Sequence, residues 1–258
     1  MLTDPVHDGA TGKALIAAHQ PDVIRRRLQA GVRQSYLREF VYGAIDGAVT
    51  TFAVVSGVAG AGLSSSVVII LGVANLVGDG FSMAAGNYLS TQAENQQRQR
   101  LRHMEEQHID EFPDGEREEI RQIFRGYGLD GADLEQVVDA ITSNRDRWVD
   151  MMLREEHGIG STHPHALVAA LTTFGAFLLV GLLPLLPILI NLFREELLPA
   201  PYRLSTLMTG TAFFLDGAVK SRFVDEHWFR AGATTLVVGG LAAALAYGLG
   251  VALSGLAT

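Results

Sequence analysis

Apolar residues dominate the stretch from Phe40 to Ser90, which reads FVYGAIDGAVTTFAVVSGVAGAGL, then SSS, then VVIILGVANLVGDGFSMAAGNYLS. Each half is long enough to cross a hydrocarbon core of about 30 Å, which takes roughly 20 mostly apolar residues. The pattern predicts a first span over 40–62 and a second over 67–90. Three further apolar runs predict spans over 166–192, 203–219 and 231–256. Pro184 and Pro187 should kink or end the third. Apolar character stops after residue 90, but no helix breaker intervenes before Pro113, so the second span is expected to continue as one helix to Phe112. Three shorter helices follow. One covers 115–126, capped by Asp114 and ended by Gly126 and Gly128. The next covers 132–142, capped by Asp130 or Asp133. The last covers 145–157, capped by Asn144 and ended by Gly158.

The chain therefore reads as an all-α membrane protein, with five transmembrane helices and a cytoplasmic helical insert between spans two and three. Its expected divisions are an N-terminal segment 1–39, spans one and two over 40–90, the insert 91–160, and spans three to five over 161–258. Residues 1–20 look mobile. Residues 21–39 predict an amphipathic helix at the membrane surface, carrying Arg25, Arg26, Arg27, Arg33 and Arg38. Small residues recur along the first two spans, Gly43, Gly47 and Gly57 and then Gly72 and Gly80 among them, and let helix backbones approach closely in lipid.

Charge sharpens this picture. Basic residues gather before the first span, in the insert and over 220–230, the faces that the positive-inside rule assigns to the cytoplasm. A net charge of −8 argues against a nucleic-acid partner, and the lack of cysteine excludes disulfides and thiolate metal sites. There is no phosphate-binding G-x-x-x-x-G-K-[ST] loop and no nucleophile paired with a base, so neither nucleotide-driven pumping nor an enzyme is expected. The N-terminus does not have the form of a signal peptide.

Chemistry enters through acids where acids are costly. Asp46 and Asp79 lie inside the first two spans, where an aspartate at the centre costs about 2.5–3.5 kcal/mol on insertion scales. Met83 adds a thioether one turn beyond Asp79, and Glu39 stands at the mouth of the first span. Asp46 with Met83 suggests a path for a transition-metal cation, with exchange of protons; an interfacial charge and plain helix packing are the competing readings. In the insert, Glu105 and His108 share a helix face, as do Glu116 and Glu119, and Met151, Met152, Glu155 and Glu156 sit together on the last helix. Facing carboxylates and imidazoles are how helical bundles hold divalent metals. Glu-rich surface helices and a methionine core would give the same pattern.

The stretches REFVYGAIDGAVTTFAVVSGVAGA, GDGFSMAAGNYLST, WVDMMLREEHGI, HPHALVAALTTFGAFLLVGLLPLLP and FFLDGAVKSRF resemble the vacuolar iron transporter family in its prokaryote-like form. The resemblance implies a homodimeric, five-span exchanger of Fe2+, often also Mn2+, for protons, exporting metal from the cytoplasm along a path at the dimer interface. It places Asp46 and Met83 in that path, with the lipid bilayer, divalent ions and protons as partners. It implies metal capture in the insert by Glu105, Glu116, Glu119, Met152 and Glu156, with His108 where a glutamate is usual. Asn75 stands where some members carry a glutamate; Asp79, one turn deeper, is the candidate to replace that acid. Zn2+ and Co2+ are further candidate cargoes. A passive divalent-cation channel and a non-transporting metal buffer or sensor are the alternatives. The prokaryote-like insert and the lack of an organelle address lead to the expectation of a bacterial inner membrane, with N-terminus and insert cytoplasmic.

Overall fold

The computed structural model describes residues 12–30, 35–160, 162–194, 197–222 and 226–256. The described residues form eleven α-helices and a closing 3-10 turn at Ser254–Leu256, with no strand among them. Two compact units divide the chain, residues 1–35 and 36–258.

In the first unit, α1 (Gly12–Ala18) is helical where a mobile segment was expected, and α2 covers Pro21–Ala30. Pro21 starts α2 at the one position where a missing N–H costs nothing, and Asp22 and Arg26 pair across one turn. The amphipathic helix expected over 21–39 is thus shorter. Leu37, Arg38 and Glu39 instead form the first turn of the next helix, because apolar periodicity resumes there. Arg33 lies outside the described residues.

The second unit is built on α3 (Leu37–Gly60) and α4 (Ser65–Glu111). The 47 residues of α4 form one helix, because nothing between Ser65 and Phe112 interrupts the i→i−4 ladder. α5 (Pro113–Gly126) and α7 (Arg145–Glu155) then fold against its polar half, and α6 (Gly131–Thr142) packs on both of them. Asp130 caps α6 by accepting from the N–H of Gly131, and Asn144 caps α7 by accepting from the N–H of Arg147 at 2.9 Å. Asp114 does not cap α5: Pro113 begins that helix, which puts Asp114 inside its first turn. Ile109, Ile120, Leu134, Val138, Trp148, Val149 and Leu153 fill the core of this small bundle.

α8 (Ala166–Gly181) and α9 (Leu186–Phe193) are the two arms of the expected third span, bent by 60°. Pro184 sits in the break, and its carbonyl is taken up by the Ser205 hydroxyl at 2.6 Å. α10 (Pro201–Lys220) and α11 (Trp228–Leu253) complete the unit. Among the described residues, three helices (α3, α4 and α11) are long and apolar enough to cross a membrane, or four if the bent pair is one span. α10 falls short of that measure; Arg203, Asp216 and Lys220 interrupt its apolar character.

The apolar half is held by backbone proximity. A Cβ added to Gly47 would lie 2.4 Å from the carbonyl oxygen of Phe177, and one added to Gly181 would lie 2.8 Å from that of Gly47. Only glycine permits this crossing of α3 and α8.

Candidate metal centre

The insert's carboxylates converge because α4, α5 and α7 each bring one short stretch to the same place. Glu105 and His108 lie one turn apart on α4, and Glu116 follows the Pro113 turn on α5. Glu156 ends α7. Gly158, at φ +65°, then turns the chain, and the Ile159 N–H bonds to the carbonyl of Leu153 at 2.9 Å. That closure carries His157 back onto α4, where its Nε2 stands 2.8 Å from Oε1 of Glu105 and 3.7 Å from Oε2 of Glu156. On the other side, Nδ1 of His108 lies 3.3 Å from Oε1 of Glu116.

Two triads result, Glu105–His108–Glu116 and Glu105–Glu156–His157, each with one ligand atom per residue within 4.8 Å of the others. Glu105 and Glu116 are only 1% and 4% exposed, and the Oε2 of each is buried without a hydrogen-bond partner. A buried unpaired carboxylate oxygen is costly, and a divalent cation removes that cost. These residues fit such an ion. Three arginines of the bundle are engaged at its edges. Arg102 binds Glu106, Asp146 and Asp150, Arg145 binds Asp110, and Arg121 binds Glu118 and Glu135.

Electrostatics follow from this crowding. Burial, then the charges of Glu119 and Glu105, push the Glu116 carboxyl up to about 7, with His108 offsetting part of the rise. Glu119 is exposed, yet it too is raised, by desolvation first and then by Glu156 and Glu105. It therefore faces the same cluster. Met152 is fully buried in the apolar core of the bundle, beside Ile120 and Trp148 in that cluster. His157 was missed in the sequence because it stands outside the helical spacing; its only signal was its place between Glu156 and a helix-ending glycine.

In the apolar half, Asp46 is half-buried on α3, and Asp79 acts on it electrostatically from α4. Asp79 is exposed and accepts a hydrogen bond from Asn75, one turn earlier. Met83 is half-buried one turn beyond Asp79. Glu39 is half-buried in the first turn of α3, with Oε2 buried and unpartnered. A fourth acid in this half, Asp216 of α10, also has a buried and unpartnered oxygen, Oδ2. It was readable as an acid inside the apolar run FFLDGAV but was not singled out.

The VIT family pattern matches residues 37–251. The chain is 34% identical over 215 residues to "Vacuolar iron transporter 1" of Oryza sativa subsp. japonica, covering 83% of each. It is 31% identical over 212 residues to "Vacuolar iron transporter 1" of Arabidopsis thaliana, covering 82% of this chain and 83% of the relative. It is 30% identical over 252 residues to "Vacuolar iron transporter" of Toxoplasma gondii, covering 92% of this chain and 83% of the relative. These relatives are named as transporters, in keeping with the expectation that the chain is not an enzyme. They overturn the expected bacterial inner membrane: they come from plants and an apicomplexan and are named for the vacuole. That expectation rested on the prokaryote-like insert and on the lack of an N-terminal address, neither of which is a positive signal for one membrane. By this extent and identity of match, the chain belongs to the VIT family, the family of the vacuolar iron transporters.

Proposed function

We propose that the protein carries Fe2+, and also Mn2+, across a membrane in exchange for protons, out of the cytosol. The observation that carries this reading is α4. One unbroken helix from Ser65 to Glu111 bears Asp79 and Met83 in its apolar half and Glu105 and His108 in its polar half. A metal gathered by the insert is thereby connected to acids at membrane depth without an intervening hinge.

In this reading, α3, α4, the α8–α9 pair, α10 and α11 are five spans, and residues 91–160 form a cytosolic domain on the basic side of the membrane. α10 is included despite its charges because Arg203 and Lys220 lie near its two ends, where long side chains reach the interface. The working assembly is a homodimer. Asp79 supports this: it is exposed on one chain, on a helix that also exposes Val73, Val77 and Phe81. An ionised acid facing lipid there would cost about 2.5–3.5 kcal/mol, whereas a second copy would enclose it.

The metal is collected by Glu105, His108, Glu116, Glu119 and Glu156, passes Glu39, and reaches Asp46, Asp79 and Met83 of both protomers. There cation and proton compete for the Asp46 carboxylate, and that competition couples their movements. Uptake of Fe2+ and Mn2+ into proteoliposomes under an imposed pH difference tests the proposal. Wild-type uptake should follow the pH difference, and Asp46→Asn should abolish it; full uptake by that variant, or flux indifferent to the gradient, defeats proton coupling. A metal buffer without transport is the second reading, favoured by the completeness of the insert's triads within a single chain. It predicts metal binding with no uptake at all.

A further inference from the structure

The insert's two triads share Glu105, and each contains one imidazole. We propose that His157 and His108 are nitrogen ligands of two adjacent metal sub-sites, and that they bias the insert toward the later first-row divalent ions, Zn2+, Co2+ and Fe2+, over Mn2+. This rests on the reading above that the insert binds metal, and deepens it by naming which ions it prefers.

The geometry is specific for His157. Its Nε2 lies 2.8 Å from Oε1 of Glu105, while Oε2 of the same carboxylate is buried and unpartnered. His157 is 17% exposed and Glu105 is 1% exposed, so both sit largely out of water, and Glu156, at 45%, leaves an approach from solvent. The Gly158 turn holds His157 in place through backbone bonds. On the other side His108, more exposed at 51%, stands 3.3 Å from Oε1 of Glu116, whose Oε2 is likewise buried and unpartnered. Glu105 lies between the two imidazoles with one oxygen free, the position of a bridging carboxylate.

Donor type then decides preference. Oxygen-only sets suit Mg2+, Ca2+ and Mn2+. Imidazole nitrogen favours later ions, and affinity at such sites rises from Mn2+ through Fe2+ to Co2+. Each histidine also removes a negative charge that an all-carboxylate site would offer, which weakens the electrostatic hold on hard ions most. A glutamate at 108 or 157 would restore that hold.

Equilibrium binding of Zn2+, Co2+ and Mn2+ to the full-length protein in detergent tests this, with visible absorption of bound Co2+ as a second readout. His157→Gln should weaken Co2+ and Zn2+ by about tenfold or more and Mn2+ by less than about threefold, and should change the Co2+ spectrum. His157→Glu should narrow the gap between Zn2+ and Mn2+. Equal losses for all three ions, or none while the wild type binds normally, overturn the inference and leave metal capture by the insert standing. A wild-type insert that binds none of the ions removes both. Pulsed EPR of the Cu2+-loaded wild type reads the ligand directly, without a variant: imidazole nitrogen couplings are expected, and their absence counts against the inference.

Discussion

Nε2 of His157 stands 2.8 Å from Oε1 of Glu105, joining residues 52 positions apart at the far end of the helix that also carries Asp79 and Met83. The contact holds one oxygen of Glu105 and leaves the other buried and free. A free buried acceptor is destabilising until something binds it. Metal should therefore stabilise the insert measurably. At a free concentration a hundred times the dissociation constant, one ion adds about 2.7 kcal/mol. Thermal unfolding with and without a chelator checks this, and an unshifted melting temperature would mean no ion sits there. Glu105→Gln should bind metal poorly, and its melting temperature should no longer respond to metal or chelator.

Proton competition sets the pH dependence. Glu116 is pushed up to about 7 by burial, Glu119 and Glu105. Below that pH the carboxyl carries a proton that a cation must displace, so affinity should fall by about tenfold per pH unit for one displaced proton. The metal-free protein has the opposite slope. A carboxyl raised on folding favours the folded state when protonated, so its contribution is full below the ordinary glutamate range and is lost as pH rises through about 7. Titration calorimetry from pH 6 to 8 measures the first effect, and melting of the chelated protein measures the second. Glu116→Gln should flatten both.

The close crossing of α3 and α8 leaves no room at Gly47. Its added Cβ would meet the carbonyl oxygen of Phe177 at 2.4 Å and the Cα of that residue at 2.9 Å, both backbone atoms that cannot turn aside. Gly47→Val should cost at least about 1–3 kcal/mol and reduce the yield of folded protein. Gly175, with nothing within 4 Å of its added Cβ, is the control, and Gly175→Ala should melt within a degree or two of the wild type. Detergent-solubilised thermal melts compare the two.

Asn144 caps the helix that delivers Glu156 and His157, accepting from the N–H of Arg147 at 2.9 Å. Asn144→Ala should cost about 1 kcal/mol. Because the Arg145–Asp110 pair still ties the start of α7 to α4, metal affinity should change by less than about threefold. A large loss of affinity without a matching loss of stability would show that the cap positions the ligands.

The order of helices was legible because it depends on local signals. Long apolar runs, the uninterrupted stretch before Pro113, and the caps Asp130 and Asn144 each act within a few residues, and the structure carries all of them. Glu105, His108 and Glu116 were readable for the same reason, since helical spacing and one proline turn place them. His157 was not, because a residue beyond the last turn of α7 has no periodic position; only the Gly158 turn and the packing of α7 on α4 bring it to Glu105. Helical spacing marked Met152 as lying near the ligands, but the apolar contacts of the bundle bury it in the core. Spacing likewise showed that the first span is lined with small residues. Which of them meets another backbone was decided by the crossing of α3 with α8, through the carbonyl of Phe177. Local chemistry along the chain thus determined the helices and their ends; only the tertiary structure decided which carboxylates were left buried without partners, because burial and pairing are properties of neighbours distant in sequence.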